Sequence, residues 1–359
     1  MAVPRSPSRS LSMEARRSTE SCWPPRCCTP GRAPLDQISR RATAGAGKMP
    51  AMKRTLWRHV GLAVAALLLV LVVVAAVGLS DANVPETSRF DADLGAIRAL
   101  AVSTGAPLPT GLRSQRVGRA SGVPHALVVA GGGFGEDSFD FYAYQVVYAD
   151  GRTVLVDVVN DEKTQLAQFP GSEFDAAAYT RVQEALRRAD ATVVTHEHFD
   201  HCAGIAHSAY LDEVASKVHL TDEQLRSPLA QEAGFTAELR ARLTPLQYER
   251  LHLLRPGVVL IKAPGHTPGT QLVYVRLVDG REFLLVGDVA WHQDNIRLPR
   301  MHPRLTNWLG GEDAQAMAHQ LRWLHDLLRT APELHPVVAH DGAQMQDYQR
   351  SGLIQDGLL

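Results

Sequence analysis

The sequence is short of cysteine, has no excess of either charge, and lacks the lysine that a phosphate loop needs. Of four cysteines, Cys22, Cys27 and Cys28 lie in a low-complexity leader, and only Cys202 lies in the part that reads as folded. One thiol cannot close an internal disulfide, so the fold does not depend on oxidation. Cys202 itself reads as a small buried residue at a helix start, not as a nucleophile or ligand. A net charge of −1 gives no reason to expect nucleic acid or an anionic surface as partner. Gly131-Gly132-Gly133-Phe134-Gly135 is followed by neither Lys-Ser/Thr nor a helix start, so it reads as a flexible loop between strands. No internal repeat stands out.

A chain of 359 residues, 45% of them hydrophobic, suits one large or two ordinary domains. Residues 1–51 are rich in Arg, Ser, Pro and Ala and lack hydrophobic periodicity, which predicts a disordered leader. Met49 or Met52 is the better start, because Met52-Lys53-Arg54 opens a normal export signal. From Val60 to Leu79 no charged or strongly polar residue occurs, enough for a bilayer-crossing helix. Lys53, Arg54, Arg58 and His59 precede it and Asp81 and Glu86 follow. The positive-inside rule then keeps the N-terminus in the cytoplasm and exports the rest. Without a clear Ala-x-Ala site an uncleaved anchor is favoured over a cleaved signal, so 52–80 is expected to be one or the other. Residues 81–125 read as a linker and edge segment with a helical patch at 93–100.

Strands are expected at 139–148, 153–158, 191–195, 258–263, 270–277 and 282–286, and helices at 174–189 and 313–329. The second helix carries Met317, Leu321, Leu324 and Leu328 on one face, which reads as core packing. Residues 221–248 read as a polar helical insertion, over the site's mouth or on an outer layer.

The chemistry is concentrated after the strand at 191–195. His196 to His201 pack three histidines and two acids into six positions. Imidazole and carboxylate are metal ligands, and strand ends are where α/β folds place their chemistry. In His-x-His-x-Asp-His, alternation turns His196 and His198 one way, while Asp200 and His201 reach a second ion. Glu197 is off phase and reads as a solvated or supporting acid. Further strand ends deliver His266, Asp288 and His340. Each alone is weak evidence; together they match a two-metal site.

The residues His196, His198, Asp200, His201, His266, Asp288 and His340 follow the ligand order of the metallo-β-lactamase fold superfamily, and the resemblance covers about residues 126–341. It implies an α+β chain whose hydrolase domain (126–350) is a four-layer αβ/βα sandwich behind the transmembrane or signal segment. His196, His198 and His266 would hold one ion, Asp200, His201 and His340 the other, with Asp288 bridging. Asp157, ending its strand beside the site, would orient ligands without binding metal. The family usually has glycine two residues later, where this chain has Val159. Zinc suits the nitrogen and oxygen donors best, and iron or manganese also fits them. The implied reaction uses a metal-bridging hydroxide to cleave a lactone, ester or thioester of a small molecule, with Asp200 as catalytic proton carrier. Gly287-Asp288-Val289-Ala290-Trp291 resembles the lactonase stretch, except that those enzymes carry tyrosine where Trp291 stands. The alternatives are a β-lactamase, against which Asp288 argues, a phosphodiesterase, and a non-catalytic or redox relative, against which the complete ligand set argues. His292 and His302 are further candidates to line the pocket.

Overall fold

The computed structural model describes residues 51–81 and 83–359. The expected leader falls almost wholly outside the described residues. A 28-residue helix, Ala51–Gly78, contains the apolar run. Within it, Thr55–Gly78 is long and apolar enough to cross a membrane. Leu62, Leu67, Leu69, Val72 and Val74 are all more than half exposed, so this is not a core helix.

The strands are β1 (Gly111–Pro124), β2 (Glu136–Val147), β3 (Thr153–Val156), β4 (Glu173–Phe174), β5 (Ala191–Val193), β6 (Leu251–Arg255), β7 (Val258–Lys262), β8 (Gln271–Arg276), β9 (Glu282–Gly287), β10 (Leu334–Val338) and β11 (Gln355–Asp356). One sheet runs β11-β1-β2-β3-β5, with β4 also on β1, and the other runs β10-β9-β8-β7-β6. Each sheet ends its antiparallel run with a crossover to a parallel strand. β3 passes through the helix Ala176–Arg188 to β5, and β9 passes through Ala314–Thr330 to β10. Asp175 and Asp313 start these two helices by accepting backbone N–H groups of the first turn.

Period-two alternation sorts the side chains into layers. Val258, Leu260, Val273 and Val275 face Tyr144, Val154, Val156 and Val193 between the sheets. Their neighbours Val259, Ile261, Leu272 and Tyr274 face outward onto Met317, Leu321 and Leu324 of the covering helix. On the other sheet Phe141, Ala143 and Leu155 meet Val182, Ala185 and Leu186. The result is the expected four-layer α+β sandwich.

Two readings change, and one open alternative resolves. Residues 81–125 hold more than linker and the helix Leu94–Ala101: β1, fourteen residues long, is central to its sheet. Its apolar residues are sparse because Ser114 and Gln115 fill buried positions, one on each face of the sheet. β6 was not anticipated either. Residues 221–248 form three short helices, and Leu225, Ala230, Phe235 and Leu239 pack into the first sheet's outer core, which is the outer-layer alternative.

Candidate metal centre

Five strand ends converge. β3 delivers Asp157, β5 the run 195–201, the β7–β8 turn His266, β9 Asp288 and β10 His340. After β5 the chain enters the helix Phe199–Ala206 at once, so Asp200 and His201 sit in its first turn. Gly287 takes φ +52°, and a Cβ there would lie 2.8 Å from Thr195 Cβ, so only glycine brings Asp288 this close to the motif.

The structure brings all seven expected residues together in two groups, each with donor atoms within 4.8 Å of one another: His196, His198, His266 and Asp288, and Asp200, His201 and His340. His198 Nδ1 lies 3.0 Å from His196 Nε2 and 2.9 Å from His266 Nε2. Asp288 stands between the groups. Its Oδ2 lies 3.4 Å from His266 Nε2 and 3.7 Å from His196 Nε2. Its Oδ1 lies 3.2 Å from both His201 Nε2 and His340 Nε2. Asp200 Oδ2 lies 3.7 Å from the same two nitrogens.

Such a set of buried polar groups fits divalent cations. His201 Nε2 and Asp288 Oδ1 are buried without a hydrogen-bond partner, which is costly unless something else satisfies them. Burial, reinforced by the neighbouring imidazoles, holds His196 well below its ordinary value and His198 at about 3, leaving both neutral with free lone pairs. Burial alone would do the same to His201 and His340, but carboxylates overcome it: Asp157, Asp200 and Asp288 raise His201, and Asp288 and Asp200 raise His340. Against its own burial, Asp288 is kept well below the carboxylate range by His340, His196 and His201. Burial pushes Asp200 up. In the metal-free centre imidazolium charge on His201 and His340 thus stands against the carboxylates, a part that bound cations would take.

The far ring nitrogens are also held, which fixes how each imidazole points. His201 Nδ1 lies 2.9 Å from Asp157 Oδ2, and the Thr195 N–H donates to Asp157 Oδ1 at 2.7 Å. His340 Nδ1 faces the Asp140 carbonyl at 3.0 Å, and His266 Nδ1 faces Glu312 Oε1 at 2.7 Å. Glu312 also meets His302 Nδ1 at 3.1 Å. His302 is fully buried, so it supports the site and does not line it; Trp291 stacks on it at 3.7 Å. The Trp291 indole N–H donates to Asp288 Oδ2 at 2.8 Å. His292 is half-buried nearby, its Nε2 3.3 Å from Asp341 Oδ2. Glu197 is buried, not solvated: it accepts from Thr267 Oγ1 at 2.7 Å and from the Gly269 N–H at 3.3 Å, bracing the His266 turn. Cys202 is buried and inert, its thiol raised by burial. The sequence reading missed Glu312. Its one signal is an acid just ahead of the Asp313 cap of an amphipathic helix.

The metallo-beta-lactamase superfamily model matches residues 141–348, more than half of the chain. No curated protein matches it. Among solved structures it is similar to an N-acyl homoserine lactone hydrolase with the product N-hexanoyl-L-homoserine bound at its catalytic metal centre (15% identity, 67% of this chain and 96% of that one, TM-score 0.53). It is similar to the same extent to a quorum-quenching N-acyl homoserine lactone lactonase (15%, 67% and 95%, 0.53). A B. thuringiensis AiiA variant with N-decanoyl-L-homoserine at its active site gives 16%, 67% and 96%, and 0.53. Such identities speak for the fold, and the family match covers β3 to β10 and the histidine motif. The chain belongs to the metallo-β-lactamase superfamily of metal-dependent hydrolases.

Proposed function

We propose that this chain is a dinuclear zinc hydrolase that opens a lactone, ester or thioester of a small molecule, held outside the cytoplasm by its apolar helix. The observation that carries the reading is Asp288, which turns one carboxylate oxygen to His196 and His266 and the other to His201 and His340. His196, His198 and His266 would hold one ion and Asp200, His201 and His340 the other. Bound there, divalent ions supply Lewis acidity and lower the pKa of water toward neutrality.

The chain's own groups do the rest. Asp157, Glu312 and the Asp140 carbonyl keep the imidazoles aimed inward. Asp200, raised by burial, is the group to carry a proton at Oδ2 to the leaving oxygen. Trp291 offers its only donor to Asp288, so it does not supply the hydroxyl that lactonases have at this position. The carbonyl-orienting group must then come from elsewhere, which supports an ester or thioester as readily as a homoserine lactone.

Metal-loaded protein should contain close to two zinc ions by elemental analysis. A panel of lactones, thioesters, simple esters, phosphodiesters and cephalosporins then ranks the substrates. Protein that stays metal-free after zinc reconstitution ends this reading. A preference for cephalosporins or phosphodiesters replaces its substrate class.

A further inference from the structure

The helix Arg304–Gly310 wears its apolar residues outward. Leu305, Trp308 and Leu309 are 41%, 76% and 70% exposed, while Asn307 is buried. At spacings of three and four these three share one face. Among residues of a water-facing helix this arrangement is inverted.

The chain leaving the apolar helix is tied to this same place. The Arg304 N–H donates to the Ser80 carbonyl at 3.1 Å, and Arg304 Nε donates to the Asp81 carbonyl at 3.0 Å. The Met301 N–H donates to Asp81 Oδ1 at 3.2 Å. A Cβ on Gly78 would sit 3.4 Å from Leu305 Cβ. So the apolar residues 64–78 end beside Leu305.

A second segment joins the patch. Thr306 Oγ1 donates to the Leu127 carbonyl, and Arg300 Nη1 donates to the Gly131 carbonyl at 2.9 Å. Leu127 is 37% exposed, and Phe134, in the glycine-rich loop that follows, is fully exposed. Gly131 and Gly133 take positive φ, which lets that loop turn its one aromatic residue to the outside. Arg304 is exposed at the same edge, and Arg300 lies beside the loop through its bond to Gly131. Aromatic and aliphatic side chains rimmed by arginine match the interfacial zone of a bilayer, where tryptophan is enriched and arginine meets headgroup phosphates.

We propose that the face formed by helix Arg304–Gly310 and the loop around Phe134 rests on the phospholipid surface that residues 64–78 enter, and that the site draws amphiphilic acyl substrates from that surface. The inference rests on the anchor and hydrolase readings above. The same segment runs from His302 to Glu312, and Glu312 meets both His302 and His266, so the membrane-facing patch and a support of the first ligand group are neighbours in the chain. A long acyl chain can stay in the lipid while its ester reaches the centre.

The test uses the full chain in phosphatidylcholine–phosphatidylglycerol vesicles. Subtracting the emission of Trp308→Phe from that of the unaltered chain isolates Trp308. Brominated phosphatidylcholine should quench that difference emission and acrylamide should not. Retention of the chain through alkaline carbonate with Trp308 quenched by acrylamide and not by bromolipid overturns the proposal, while the anchor reading survives. Extraction of the chain by carbonate removes both. On the reaction side, Trp308→Ser/Leu309→Ser should slow a long-chain ester presented in vesicles and leave a short soluble ester untouched. Equal losses on both overturn the delivery step.

Discussion

On one side of Asp288 stand three histidines; on the other stand two histidines and a second carboxylate, Asp200. On the first side burial keeps His196 and His198 neutral, and the nearest supporting acid, Glu312, stands behind His266. On the second side Asp200 lies among the ligands and Asp157 stands behind His201. The backbones differ too. Glycine takes the left-handed conformation at Gly287, whereas Asp157 and Val159 adopt φ of +59° and +52° with side chains attached. The first side selects by nitrogen donors and an unstrained backbone. The second carries more negative charge and stored strain. A nitrogen-rich site holds zinc with little help from charge, whereas the carboxylate-bearing site depends on it.

The largest break in that comparison is the residue both sides share. Asp288→Asn keeps size and loses charge, and its amide nitrogen cannot ligate a cation. Turnover should fall at least about a hundredfold, on the scale of losing a major electrostatic group. Elemental analysis should show the first ion retained better than the second. Unchanged turnover with both ions in place would make the bridge dispensable.

The supporting acids should separate the two sides. Asp157→Asn should weaken the ion held by His201, and Glu312→Gln the one held by His266, each by about 10–100-fold in affinity. Competition with a chromophoric chelator reads both. Equal weakening of both ions by either variant would mean that the sides are not independent.

Acid sharpens the same contrast in metal-free protein. Burial would raise Glu312, but His302 and His266 outweigh it and bring it from 4.5 to about 2. Its folded value lies below its unfolded one, so its contribution to stability is present above 4.5 and is lost as pH falls toward 2. Urea midpoints measured from pH 6 down to about pH 3 should drop less steeply for Glu312→Gln than for the unaltered chain. Parallel slopes would mean that Glu312 is not held as an ion pair.

The ligands were legible because each follows a short apolar run, with His266, Asp288 and His340 each a few residues past one. The layered fold followed from the same runs. β1 was not legible, since a strand that buries Ser114 and Gln115 and carries half-buried Arg113, Arg116 and Arg119 lacks the apolar alternation that marks strands. Glu312 was hidden because it reaches His266 across 46 residues from a loop after Gly310 and Gly311. Trp291 was noted as a departure from tyrosine, but periodicity does not say where an indole N–H points. Glu197 stayed open between a solvated and a supporting acid because its partners, Thr267 and Gly269, are far along the chain.

The smallest expected effect concerns Val159, on the second side. Both Val158 and Val159 are fully buried in the first sheet's outer core, so each loses a comparable apolar contact on truncation. Only Val159 has positive φ. A left-handed conformation costs a side-chain-bearing residue roughly 1–2 kcal/mol, and more than average is expected for a β-branched one. Glycine pays no such penalty, though both substitutions loosen the unfolded chain equally. Val158→Gly should therefore show the whole loss of a buried valine, about 1.5–3 kcal/mol, plus the glycine entropy. Val159→Gly should cost about 1–2 kcal/mol less than that. Urea unfolding of chelator-treated protein measures the difference directly. Equal costs at the two positions would show that the turn after Asp157 holds no strain, and the backbone half of the contrast between the two sides would be withdrawn. A smaller cost at Val159 would identify the turn behind His201 as a place where the chain gives up stability to hold Asp157 in position.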